Sequence, residues 1–309
     1  MSTEHRVQFD FEIEFANGGT LQGQEFRLDI AHDDITDDAL GAYLIADLRL
    51  LMVSRVAILN KRIIHERHKR AHKAPAVANT ETQRIDLSHV IEAGMITYKG
   101  LPAPLICDHL SRDASRQSYD PGTEFQIDRI EMVGNTGTYL DTPFHRYADG
   151  YDLSALNLET VSGCPGVMIN VTGATDRAID WTMLAAIDVR DKAVLVHTGW
   201  DAHWRTDQYF ENHVYLTERA AIHLRDSGAR LVGIDSFNID DTSGGTRPVH
   251  SVLLAAGIPI VEHLTNLQSL PTEGFRFWAV PPKFKKVGTF PVRAHAIIDG
   301  REARSNQSA

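Results

Sequence analysis

The chain has 309 residues, 43% hydrophobic and 23% charged, with a formal net charge of −10. That is a globular composition, long enough for one large core or two domains, and its acidic balance argues against nucleic acid as a partner. No run approaches the ~18 apolar residues of a membrane-spanning helix, and two distant cysteines, Cys107 and Cys164, lack the spacing of a disulfide framework or a structural zinc site.

The opening MSTEHRVQFDFEIEF is polar and acidic, without the apolar stretch of a secretory signal. With so few cysteines, a reducing cytoplasm is the expected location. Val7, Phe9, Phe11, Ile13 and Phe15 alternate with polar residues, which predicts a half-buried strand. Asn17-Gly18-Gly19 supplies a hairpin turn, and Phe26, Leu28 and Ile30 alternate on the return. Thr36 can cap a helix with Asp37 and Asp38 in its first turn and Leu40, Leu44, Leu48 and Leu51 as its apolar stripe. A third strand over Val56 to Ile64 completes a small ββαβ module, residues 1–64. The basic run Arg62 to Lys73 reads as a solvated helix end or linker, with contact to an acidic partner or a neighbouring subunit as the alternative, and Ala74 to Thr80 as linker, so that 65–84 separates the module from the rest of the chain.

The main domain is expected over 85–304, with Ser305 to Ala309 as a tail. Its β-type runs are Phe125–Val133, Gly166–Val171, Ala193–His197, Leu231–Ile234, Pro259–Glu262, Phe275–Val280 and Val292–Ile298. Thr217 can cap a helix that stops at Gly228, and Thr246 to Ala256 reads as another with Pro248 in its first turn. Strands alternating with helices predict an α/β domain. Asp240-Asp241 with Ser243-Gly244-Gly245 reads as a loop, a turn first and a second metal site as the alternative.

Residues 135 to 145, Asn-Thr-Gly-Thr-Tyr-Leu-Asp-Thr-Pro-Phe-His, carry the most chemistry. In a regular extended segment Asn135, Gly137, Tyr139 and Asp141 share one face. His145 has a side chain that can accept and donate protons near neutral pH. Taken singly, these residues have ordinary readings: Asp141 before Thr-Pro as a turn former, His250 as a structural imidazole, Glu262 as a strand-end carboxylate, and Tyr139 as packing.

Taken in order, several segments resemble the cyclase/kynurenine-formamidase family of metal-dependent hydrolases. They are Ile85-Asp86-Leu87-Ser88-His89, the stretch 135–145, Val196-His197-Thr198-Gly199-Trp200, Leu231 to Asp235, His250 to Glu262, and Phe290-Pro-Val-Arg293. The family pattern His-x-Gly-Thr-His-x-Asp-x-Pro-x-His is matched except at Asn135 and Tyr139, which stand where two ligand histidines would be. The resemblance implies a swivelling β/β/α fold, a homodimer or homotetramer, and hydrolysis of small cyclic or aryl amides with zinc or manganese. It also implies metal ligands at Asp141, His250 and Glu262 and a catalytic histidine at His145. Two carboxylates and one imidazole suffice for one divalent ion, Mn or Zn. Without a metal, His145 and Tyr139 would form an acid/base pair suited to cyclisation or elimination. A third reading is a binding protein that kept only the fold. Asn135, Tyr98, Phe144, Trp200, Trp204 and Tyr209 are the expected substrate-binding residues, the aromatic ones as walls for a flat ring.

Overall fold

The computed structural model describes residues 5–30, 34–48, 50, 52–65 and 82–298. Its contacts divide the chain into two units, Met1–Ala78 and Asn79–Ala309. Of the basic run, Arg62 to His65 continue a strand. The rest of that run, the linker up to residue 81, the tail and Leu51 lie outside the described residues.

The first unit is a three-stranded antiparallel sheet with strand order Thr20–Ile30, His5–Phe15, Val53–His65, covered by the helix Asp37–Asp47. Period-two alternation puts Val7, Phe9, Phe11 and Ile13 on one face, where they meet Leu28, Leu40 and Leu44 in a core. Thr36 caps the helix by accepting from the Ala39 amide at 3.2 Å.

The second unit is built on a nine-stranded sheet. Its order is Thr289–Pro291, Tyr139–Asp141, Ile260–Glu262, Leu231–Ile234, Ala193–His197, Ser162–Asn170, Phe275–Trp278, His295–Ile298 and Gln83–Asp86. Gln83 and Arg84, expected as linker, therefore belong to a strand. The four middle strands, from Ile260–Glu262 to Ser162–Asn170, run parallel, and the outer ones pair antiparallel. Burial on both faces explains their continuous apolar sequences. Val194, Val196, Val232 and Ile234 face one core, which is closed by Ala220, Leu224, Val249 and Leu253 of two helices. Ala193, Leu195, Leu231 and Val261 face a second core with Leu140, Leu264 and Phe277.

Those helices are Glu218–Asp226 and Pro248–Ala255. Thr217 caps the first through the Ala220 amide, and Gly228 follows it with φ +84°. Several strands are shorter than the apolar runs suggested: Ile127–Glu131, Phe275–Trp278 and His295–Ile298. The segment from Asn135 is not a continuous strand either. Gly137 adopts φ +65°, a Cβ there would meet Ile91 at 2.8 Å, and pairing begins only at Tyr139. Among the described residues no helix is long and apolar enough to cross a membrane.

Candidate active site

Three adjacent strands of three residues each form the floor of the site. The strand Tyr139–Asp141 lies between Ile260–Glu262 and Thr289–Pro291, with Tyr139 opposite Glu262 and Asp141 opposite both Ile260 and Thr289. Residues two apart on a strand share a face, and cross-strand partners lie beside them. Tyr139, Asp141, Glu262 and Thr289 therefore converge. Glu262 also ends a parallel strand, the position where open α/β sheets present their chemistry. His250 comes from the first turn of the helix Pro248–Ala255. Its Nε2 lies 3.7 Å from Asp141 Oδ2 and 3.7 Å from Glu262 Oε1.

Each of these groups is held by a second partner. Asp240 Oδ1 accepts from the Val249 amide at 2.7 Å, while its Oδ2 accepts from the His250 amide at 3.0 Å and lies 2.6 Å from His250 Nδ1. The acceptor at Nδ1 keeps a proton on that nitrogen and turns Nε2 toward the two carboxylates. Glu262 Oε1 accepts from the Ile239 amide at 2.7 Å, and Oε2 accepts from the Tyr139 phenol at 2.5 Å. The Thr289 hydroxyl donates to Asp141 Oδ1. Its oxygen is then the acceptor for His145 Nδ1 at 2.7 Å, which leaves His145 Nε2 free.

Asp141, Asp240 and Glu262 surround a single imidazole in a buried setting. Burial by itself would lower His250, but Glu262, with Asp141 and Asp240, outweighs it and raises the imidazole to about 10. Burial raises Glu262 to about 7. The Tyr139 phenol is held well above its ordinary value by burial and by Glu262, so it is a neutral donor. The structure pairs Tyr139 with Glu262, and His145 with Thr289, not with each other.

One imidazole nitrogen and two carboxylate oxygens here lie within 4.8 Å of one another. Asp141 Oδ2 is buried with no hydrogen-bond partner. A buried carboxylate oxygen without a donor is costly, and a cation among these three groups would satisfy it. The donor set fits a divalent metal, and Asp240 supplies the carboxylate–histidine support such ligands have.

The Cyclase family model matches residues 85–241. The chain belongs to the Cyclase family. Kynurenine formamidase of Delftia acidovorans is 28% identical over 175 residues, 56% of this chain and 81% of the relative. Isatin hydrolase A of Labrenzia aggregata, solved with benzyl benzoate, superposes with a TM-score of 0.61 at 21% identity, covering 71% of this chain and 94% of that one. A structure described as a potential metal-dependent hydrolase with cyclase activity matches at 25% identity and TM-score 0.54, covering 70% and 98%. By family, then, this is a cyclase-like hydrolase whose fold is that of its Cyclase relatives.

Within this Cyclase chain a cavity of about 820 Å³ opens onto the site. Tyr98, Asn135, Tyr139, His145, Asn238, His250 and Glu262 line it, with the exposed Leu101, Arg146 and Glu218 and the half-buried Arg247 and Ser251. Phe144, Trp200, Trp204 and Tyr209, expected as walls, are not among the lining residues. The buried Asp235 carboxylate accepts from the Thr198 and Gly199 amides at 2.7 and 3.0 Å, and this turn sends the following aromatics behind the floor. There Trp204 stacks on His89 with centroids 3.9 Å apart, and the Tyr209 hydroxyl lies 2.8 Å from His263 Nδ1. Trp200 Nε1 donates to the Tyr209 carbonyl at 3.0 Å. Phe144 is half-buried in the turn that carries His145.

The sequence does not mark Thr289, and it marks Asp240 only as part of a turn or a second metal site, not as the support of His250. Asp240 looked like a turn residue because it caps a helix that begins eight residues later. The one local hint was an aspartate ahead of an Arg-Pro helix start. Thr289 acts across 148 positions of sequence, and nothing near it marks the role.

Proposed function

We propose that this Cyclase chain is a hydrolase of small cyclic or aryl amides, esters or lactones that works with one divalent ion, manganese or zinc, held by Asp141, His250 and Glu262. The observation that carries the reading is the buried Asp141 Oδ2, without a donor and 3.7 Å from His250 Nε2. A donor set of one imidazole and two carboxylates suits these metals. When bound, such an ion polarises a carbonyl and acidifies water.

The chain's own groups supply the rest. His145, with Nδ1 held by Thr289 and its ring at the cavity, can take a proton from water at Nε2 and return it to the leaving nitrogen or oxygen. Asn135 and Tyr98 line the cavity wall where a substrate would sit, the Tyr98 hydroxyl being held by Asn238 Nδ2 and the Phe237 carbonyl. The Tyr139 phenol occupies Glu262 Oε2, an oxygen that would otherwise be free for a second ion, which favours a single cation. The same bond weighs against a metal-free acid/base pair of His145 with Tyr139, because the phenolic proton is committed to Glu262.

The test uses protein purified without added metal, assayed for metal content and for turnover of an aryl formamide, a lactam and a lactone. One ion per chain, turnover lost on chelation and regained with Mn²⁺ or Zn²⁺, and loss of binding in Asp141→Ala and His250→Ala are expected. Full turnover under chelation would sink the reading.

We also infer a homodimer or homotetramer. The ribbon of Leu105–Leu110 and Ile127–Glu131 leaves Leu105, Ile127 and Ile130 exposed, an apolar surface suited to a second copy. A monomeric mass in solution light scattering would exclude it. The free cysteines, Cys107 exposed and Cys164 buried, support a reducing cytoplasm as the setting.

A further inference from the structure

The floor and the mouth of the cavity carry opposite charge. Asp141, Asp240 and Glu262 crowd the floor, whereas Arg146 and Arg247 line the mouth with a single carboxylate, Glu218. Among the described residues neither guanidinium has a carboxylate partner. Arg146 Nε donates to Ser251 Oγ at 3.4 Å, and the guanidinium lies 5.4 Å from the Tyr147 ring centroid. Arg247 Nη1 donates to the carbonyls of Gly244 and Thr246 at 2.8 and 2.6 Å, and to that of Asp241 at 3.2 Å.

A rim arginine is often just solvated, but these two differ from that case. Arg247 is half-buried, and its Nη1 is pinned to a loop, so its fork is oriented while Nε and Nη2 remain unassigned. Arg146 follows His145 directly and reaches toward Ser251, on the helix that carries His250. A guanidinium presents parallel donors that match the two oxygens of a carboxylate. Two such groups in excess over one carboxylate, above a floor that handles a carbonyl, define a molecule with two ends.

We propose that the substrate carries a carboxylate remote from its reacting carbonyl, and that Arg146 and Arg247 bind that carboxylate at the mouth. This rests on the hydrolase reading above and narrows its substrate class. It also couples the two ends. Without a cation the floor carboxylates repel an anion, and with one that repulsion is offset, so anion affinity rises with cation occupancy.

The experiment titrates Mn²⁺-loaded protein by calorimetry with 3- and 4-acetylbenzoate and with 3- and 4-nitroacetophenone. These ketones offer the floor a carbonyl that cannot be hydrolysed, and nitro is a neutral isostere of carboxylate. The better acetylbenzoate is expected to bind about 10- to 100-fold tighter than its nitro isostere, the range of a charge-assisted hydrogen bond. Arg146→Gln/Arg247→Gln should bring the ratio to within about twofold, Arg146→Lys/Arg247→Lys should restore part of it, and chelation should weaken the acid more than the isostere. Should the double variant fail to fold, Arg146→Gln alone, at an exposed side chain, carries the comparison. Equal affinities in the parent protein, no binding of either acid, or a preference that survives the substitutions overturns the proposal. Formate release from formanilide, a neutral aryl amide, tests the hydrolase reading separately, so the two ideas can fail independently.

Discussion

Tyr139 stands opposite Glu262 across an antiparallel strand pair, and its phenol donates to Glu262 Oε2 at 2.5 Å. In Tyr139→Phe a buried carboxylate oxygen loses its donor, which costs on the order of 1–3 kcal/mol in cation-free protein. The loss should shrink in Mn²⁺-loaded protein, where the freed oxygen can turn to the ion. Metal content should not fall below one per chain, and turnover should fall by less than about tenfold, because His145 is held by Thr289 and not by this phenol. Denaturant melts with and without Mn²⁺, beside a turnover assay, check this. Complete loss of turnover with metal retained would favour the acid/base reading of Tyr139.

Asp240→Asn keeps a side chain able to cap the helix at Val249 but removes the charge that fixes His250 Nδ1. Metal affinity should fall about 10- to 100-fold while the three ligands stay in place. Competition with a chromogenic chelator measures it, and unchanged affinity would mean that Asp240 only caps the helix.

The pH response comes from the raised groups. His250 is raised from 6.5 to about 10, and Glu262 from 4.5 to about 7, in the cation-free protein. Folding therefore takes up protons, so the stability these groups contribute is complete below their ordinary values and is lost as pH rises through about 7 and then about 10. Melting temperature in chelator should drop from pH 7 to pH 9.5 more steeply than in Mn²⁺, where the ion takes the place of the proton. At pH 8 binding should release about one proton, chiefly from His250. Calorimetry in buffers of different ionisation enthalpy reads that proton, and zero release would contradict a neutral His250 ligand.

Gly288 sits where a Cβ would come within 2.4 Å of the His145 amide nitrogen and 2.7 Å of its Cα. Gly288→Ala must push the turn carrying His145 while the metal ligands remain on their strands and helix. Turnover should fall by about 10- to 100-fold with near-normal Mn²⁺ affinity. Equal loss of both would show that the substitution disturbs the whole floor.

Much of the main sheet could be read directly. Ala193–His197 and Leu231–Ile234 were expected at the bounds they have, because strands buried on both faces leave uninterrupted apolar runs. The helix capped by Thr217 declared itself through a hydroxyl at one end and Gly228 at the other. The ligand trio was legible only through a resemblance, since the residues are 109 and 12 positions apart and meet by strand pairing and helix docking.

What stayed hidden depended on direction. Gly199, with φ +73°, and the Asp235 carboxylate behind it turn Trp200, Trp204 and Tyr209 away from the cavity, and no periodicity encodes that turn. Gly137 likewise breaks the extended run in which Asn135 was expected to alternate with Asp141. Asp240 caps across an intervening loop, so a window of local pattern sees only a turn.

The three floor strands have three residues each, too few for their own ladders to lock them firmly. Asp141 and Glu262 belong to that sheet margin, whereas His250 belongs to a helix in the opposite layer. An ion shared among them would act as a rivet between layers. Loading the site would then be a mechanical event as well as a chemical one. Amide exchange at Leu140, Val261 and Phe290 should slow on adding Mn²⁺, while the remote pairing of Phe275–Trp278 with His295–Ile298 keeps its pace.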